Sequence, residues 1–232
     1  MTDQLWTPQM VAGLTGLGGV IVGALITWLG LGKRIDADER LATRKFEFDK
    51  ELAQRKFDLD RSQLIHKRRF ELAETLLADA YRFSDLMGSV RTGWSMEGEG
   101  KSRPEDVGEP ESLKRLKDSY FAPIERLQQH SEFINGFRAK RHTARAYFGS
   151  NAVQAFQFFD QSIVSVQTAS ETLIETAGER DNDPTVLKEL RQDIWASHSE
   201  ARKQADKVGK KIEEGVLLIE NLCRPVLEWN GA

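Results

Sequence analysis

KRIDADERLAT, RKFEFDKELAQ and RKFDLDRSQLI, residues 33–43, 44–54 and 55–65, are three copies of one eleven-residue pattern. Residues 66–76, HKRRFELAETL, keep part of it. The third position holds Ile35, Phe46 and Phe57, and the fifth holds Ala37, Phe48, Leu59 and Phe70. The second position is always basic (Arg34, Lys45, Lys56, Lys67) and the sixth always acidic (Asp38, Asp49, Asp60, Glu71). Eleven residues make three helical turns at about 3.67 residues per turn, which favours a straight or right-handed supercoil. Basic and acidic positions four apart support an exposed helix by about 0.2–0.5 kcal/mol per pair.

On a helical wheel the third and tenth positions form one apolar stripe. The fifth and ninth form another, about 130° away at about 100° per residue. A helix with two separated stripes can touch two neighbours at once, which suits a bundle or a ring of chains better than a simple dimer. Phe46, Phe48, Leu52, Phe57 and Leu59 are the candidate coiled-coil contacts. An alternative is a helix lying flat on lipid, with one broad apolar face and basic edges. The acidic sixth position and the split stripes count against it. A solvated helix without partners is the third reading. From 33 to 91 there is no proline and the only glycine is Gly88, so one helix can run through.

N-terminal to the repeat, residues 10–32 read MVAGLTGLGGVIVGALITWLGLG, 23 residues without a charge. Thr15 and Thr27 are their only polar side chains, and each can bond its own helix backbone. As a helix the stretch is about 35 Å long, enough for a hydrocarbon core of about 30 Å. Residues 1–9 lack the basic residues of a secretory leader, and no A-x-A cleavage site follows. Basic residues come after the span (Lys33, Arg34, Arg40, Arg44, Lys45) and none before it. The positive-inside rule therefore predicts a single-pass protein of the inner or plasma membrane. Residues 1–9 lie outside and the C-terminal part is cytoplasmic. Trp6 and Trp28 fall near the two headgroup levels. Gly19 and Gly23 form a GxxxG pair, and Gly16, Gly23 and Gly30 recur every seven residues. Such small residues let helices approach closely in lipid, so these four form the candidate packing face of the span.

C-terminal to the repeat, the apolar spacing becomes that of a core-facing helix: Phe70, Ala73, Leu76, Leu77, Ala80, Phe83, Met87 and Val90. Residues 92–110 are rich in Gly, Pro and acid and are predicted to be a flexible surface loop. A second helix begins near Glu111, with a kink or break expected at Pro123. A third follows Gly149, with Ser150 as its N-cap. Residues 178–184 are a turn, and Pro184 opens a fourth helix that ends near Pro225. The predicted fold is all-α. A transmembrane helix (10–32) continues into a charged coiled-coil-like helix (33–69), followed by a cytoplasmic four-helix bundle (70–232).

Composition narrows the function. The 33 Lys and Arg nearly balance the 36 Asp and Glu, leaving a net charge of -3, so no nucleic-acid partner is expected. The lone cysteine, Cys223, excludes an intrachain disulfide and a multi-cysteine zinc site. Nucleotide loops, nucleophile elbows, zinc-protease helices and EF-hand loops are all missing. His66, His130, His142 and His198 have no His or Cys three or four residues away. No catalytic residue, metal or cofactor is expected, and the protein is not expected to be an enzyme. Arg138, Lys140, Arg141 and Arg145, with His142 among them, are the densest basic run outside the repeat. They are the candidate site for an anionic partner, with a solvated helix face as the plainer reading. The expected function is a membrane-anchored scaffold that associates with copies of itself in the lipid bilayer and presents its bundle to a cytoplasmic protein. The alternative is an oligomeric membrane effector or pore triggered through the bundle. A span without a polar stripe would line a water-filled pore poorly.

Overall fold

The computed structural model describes residues 8–105, 107–179, 183–196 and 206–228; among residues 8–36 only the side chains of Gly23, Trp28 and Arg34 are described. Six helices and no strands are found among the described residues. They are α1 (Pro8–Val90), α2 (Glu111–Gln129), α3 (Ser131–Phe148), α4 (Ser150–Glu175), α5 (Pro184–Ile194) and α6 (Lys207–Leu227). The protein is therefore all-α. Residues 1–64 and 65–232 are two separate units. Among the described residues no helix is long and apolar enough to cross a membrane. The expected span, residues 10–32, has a helical backbone, but its side chains other than Gly23 and Trp28 lie outside the described residues.

In the second unit, Ala73, Leu76, Ala80, Phe83, Met87 and Val90 of α1 are buried, following the three-and-four spacing of the sequence. They meet Phe137 of α3, Phe156 and Phe159 of α4, and Ile212, Ile219 and Cys223 of α6 in one core. The ring centroids of Phe83 and Phe159 are 4.8 Å apart and those of Phe137 and Phe156 4.9 Å. Each aromatic pair adds about 0.5–1.5 kcal/mol beyond the area it buries.

Paired residues give the topology. Asp79 and Phe83 of α1 face Lys140 and Phe137 of α3. Phe137 and Arg138 face Phe159 and Asp160 of α4. Ser165 faces Lys211 of α6, while Phe159 faces Gly215. Tyr81 and Arg91 face Glu220 and Asp206. In each of the α1–α3, α4–α6 and α1–α6 pairings, numbers rise on one helix as they fall on the other. The C-terminal part of α1 with α3, α4 and α6 therefore forms an antiparallel four-helix bundle. At Gly215 an added Cβ would lie 2.7 Å from Cε1 of Phe159, so only glycine permits this approach of α6 to α4.

Two expected boundaries move. Pro123 sits inside α2 without ending it, and the break falls at His130, whose N–H bonds back to Arg126 and Leu127 carbonyls. α2 serves two cores: Tyr120 packs with Ala169, Leu173 and Ile194 in a second cluster, whereas Leu127, like Ile134 and Phe137 of α3, serves the main core. The fourth expected helix divides into α5 and α6. Trp195 is extended, and Asp206 caps α6 by accepting from Gly209 N–H. Residues 197–205, within the expected helix, lie outside the described residues.

Candidate interaction surface

Residues 37–64 are exposed without exception. All five expected coiled-coil contacts are among them, with Phe46 70% and Phe57 65% exposed. Leu41 and Leu64, on the same stripes, are exposed as well. A run of large apolar side chains in water over so many turns makes residues 37–64 the candidate interaction surface. Its charges are also uncommitted. Among residues 37–64, the one ion pair within the described residues is Arg55 with Glu51, at 2.6 Å. Lys45, Asp49, Lys56 and Asp60 form none, so the second and sixth positions of these copies do not close on each other. The pairing does form in the partial fourth copy, between Lys67 and Glu71 at 3.9 Å.

Of the expected glycine face, Gly23 is exposed, with nothing within 4 Å of where a Cβ would lie. Gly16, Gly19 and Gly30 lie outside the described residues.

Three cations of the basic run of α3 pair with carboxylates of the neighbouring helices while staying partly exposed. Arg138 and Arg141 both pair with Asp160 of α4, at 2.6 and 3.6 Å, and Lys140 pairs with Asp79 of α1 at 2.6 Å. These three cations tie α3 to its two neighbours. Arg145 is exposed and carries no ion pair among the described residues.

Three other arginines, not singled out by sequence, organise the end of the bundle. Arg91 is 2% exposed. It donates to the carbonyls of Asp193 and Gln192, both at 2.9 Å, and forks onto both Asp206 oxygens at 3.0 and 2.7 Å. It thereby satisfies the open C-terminal carbonyls of α5 and pairs with the N-cap of α6. Arg126 donates to the carbonyls of Ser89, Val90, Thr92 and Trp94 and to Glu99. The Arg126 guanidinium bonded to Glu99 holds that carboxyl below the usual carboxylate range. Arg103 binds Glu109 at 2.6 Å and Asp118 at 3.4 Å. The Glu109 carboxyl is held low first by Lys117 and then by Arg103. Gly100 has φ +82°, and a Cβ there would meet the Asp118 carbonyl at 2.0 Å.

Residues 92–110, expected as a flexible loop, are therefore fastened to α2 by buried ion pairs. Nothing local in a Gly- and acid-rich segment signals such pairing. The segment does carry Trp94 and Met96, each 78% exposed, at the rim of a cavity of about 270 Å³ shared with Ser89, Glu99, Arg126 and His130. Two large apolar side chains in a polar stretch were the available signal for that patch.

Burial pushes the Cys223 thiol up to about 11. Among the described residues no His, Cys, Asp and Glu side chains group to hold a metal ion. No family model matches the chain, and neither a curated protein nor a solved structure matches it.

Proposed function

We propose that this protein is a non-enzymatic, membrane-anchored scaffold that associates with copies of itself and presents its helical bundle to a cytoplasmic protein. The observation that carries the reading is the exposed, doubly striped repeat of residues 37–64. Burying one such aromatic or leucine side chain is worth about 1.5–3 kcal/mol. A helix leaving Phe46, Phe48, Leu52, Phe57 and Leu59 in water is therefore built for company. The uncharged stretch of residues 10–32 supports an anchor in the inner or plasma membrane, and the basic residues that follow it support a cytoplasmic bundle.

Mass photometry of the full chain in mild detergent tests self-association. Oligomers are expected, weakened by Phe46→Asp or Phe57→Asp, which place a charge in an apolar seam. A strictly monomeric protein at micromolar concentration refutes it. Carbonate extraction tests the anchor, which release into the soluble fraction would rule out. Gly19→Ile or Gly23→Ile should weaken association without preventing insertion, because isoleucine holds neighbouring backbones apart. Ion conductance of liposomes carrying the protein would replace the scaffold with the channel-like alternative.

A further inference from the structure

At three turns per eleven residues, successive side chains lie about 98° apart around the helix. The third and tenth positions (Ala42, Phe46, Ala53, Phe57, Leu64) then centre one seam. The fifth and ninth (Leu41, Phe48, Leu52, Leu59) centre a second, about 131° around. Along each seam the spacing alternates between four and seven residues, so both run straight along the helix.

The charges distinguish the two seams. The narrow arc between them carries the sixth position beside the first seam (Asp38, Asp49, Asp60) and the second position beside the second seam (Arg34, Lys45, Lys56). The far flank of the second seam is the first position, again basic (Arg44, Arg55). Two parallel copies joined second seam to second seam would set Lys45 and Lys56 against Arg44 and Arg55. Joined first seam to first, they would leave Phe48 and Leu59 in water. A first seam laid on a neighbour's second seam covers both apolar rows and, on the side of the narrow arc, lays Asp49 and Asp60 beside Lys45 and Lys56. These are charges that make no ion pair among the described residues of their own chain. On the outer side the seventh position brings Glu39 beside Arg44 but also Lys50 and Arg61 beside Arg44 and Arg55, where water screens them.

We infer that the occupant of this surface is a second copy of the chain, bound heterologously, with the first seam of one copy on the second seam of the next. This rests on the self-association reading above. Heterologous contacts propagate, and they close into a ring when the rotation allows. Contact directions about 131° apart are the interior angle of a polygon of about seven sides, so the assembly is a ring of about seven copies. The narrow arc, with its acidic and basic rows, faces the inside of the ring.

The test uses the full chain in mild detergent with Phe46→Cys in the first seam and Phe48→Cys in the second. Cys223 is buried and its thiol pushed up to about 11, so it stays out of the reaction. The wild type should have the mass of about six to eight copies. On oxidation each single variant should stay uncrosslinked, and an equimolar mixture of the two should give crosslinked dimers. The double variant should give a ladder ending at the ring. Phe57→Cys and Leu59→Cys, one repeat further along, should repeat the result.

Crosslinked dimers from either single variant alone would show like seams meeting and overturn the ring. So would a wild-type mass of two copies, although self-association would survive. An oligomer that none of these cysteines crosslinks would place the contact elsewhere. A monomeric wild type would remove the self-association reading itself.

Discussion

Phe46, Phe48 and Phe57 stand in water, whereas Phe83, Phe137, Phe156 and Phe159 are buried. All seven belong to α-helices, and their surroundings decide the difference. In the bundle, apolar residues at three-and-four spacing make one stripe per helix, and the three other helices, two antiparallel and one parallel to it, cover it. In the repeat, eleven-residue spacing splits the apolar residues into two stripes, which are left exposed. The described bundle helices thus cover their own apolar stripes, while the repeat leaves its apolar residues exposed. Stability of the first should be separable from assembly through the second.

The largest effect that could break this contrast comes from a matched pair of truncations. Phe137→Ala removes a ring in contact with Phe83, Phe156 and Phe159, and should destabilise the bundle by about 3–5 kcal/mol. Phe46→Ala should leave the bundle's unfolding transition in place while weakening oligomers. Urea unfolding followed by aromatic circular dichroism compares them, and equal shifts would show that the two regions do not act separately.

Next comes Arg91→Met, which strands the half-buried Asp206 carboxylate and two backbone carbonyls. A loss of about 3 kcal/mol is expected. Adding Asp206→Asn should recover part of it, because the orphaned charge is then gone. No recovery would mean that Asp206 matters only as the cap of α6.

Gly215→Ala should cost about 1–3 kcal/mol by overpacking against Phe159. Gly88, where nothing lies within 4 Å of an added Cβ, is the control: alanine there should be neutral or stabilising. Thermal melts of the two variants give the comparison directly.

The smallest effect is on pH dependence. The Glu99 carboxyl is held below its ordinary value of 4.5 in the folded bundle. Its contribution is therefore fully present above that value and is lost as pH falls through the lower folded one. Glu99→Gln should flatten bundle stability in that acidic window and leave the neutral-to-basic slope alone. A variant with an unaltered acid limb would show that the Glu99–Arg126 contact does not contribute to stability.

The core of the second unit was legible because helix period and burial are coupled. Of the α1 residues expected at three-and-four spacing, Ala73, Leu76, Ala80, Phe83, Met87 and Val90 are buried, whereas Phe70 is exposed and Leu77 half-buried, and Leu86 is buried without having been expected. The breaks at His130 and Trp195 were not legible. The break at Trp195 depends on an arginine from the end of another helix, Arg91, which takes up the last carbonyls of α5. The basic run of α3 was visible as charge, but its pairing with Asp79 and Asp160 arises only when α1, α3 and α4 meet.

By itself the sequence determined helicity and the division of apolar residues into one stripe or two, because both follow from spacing along a single helix. It also marked residues 10–32 as a stretch without charge. Only the tertiary structure decided where Arg91, Arg103 and Arg126 go. An arginine in a sequence is an exposed charge by default, and it becomes a buried fastening only where folding gathers carboxylates and open helix carbonyls around it.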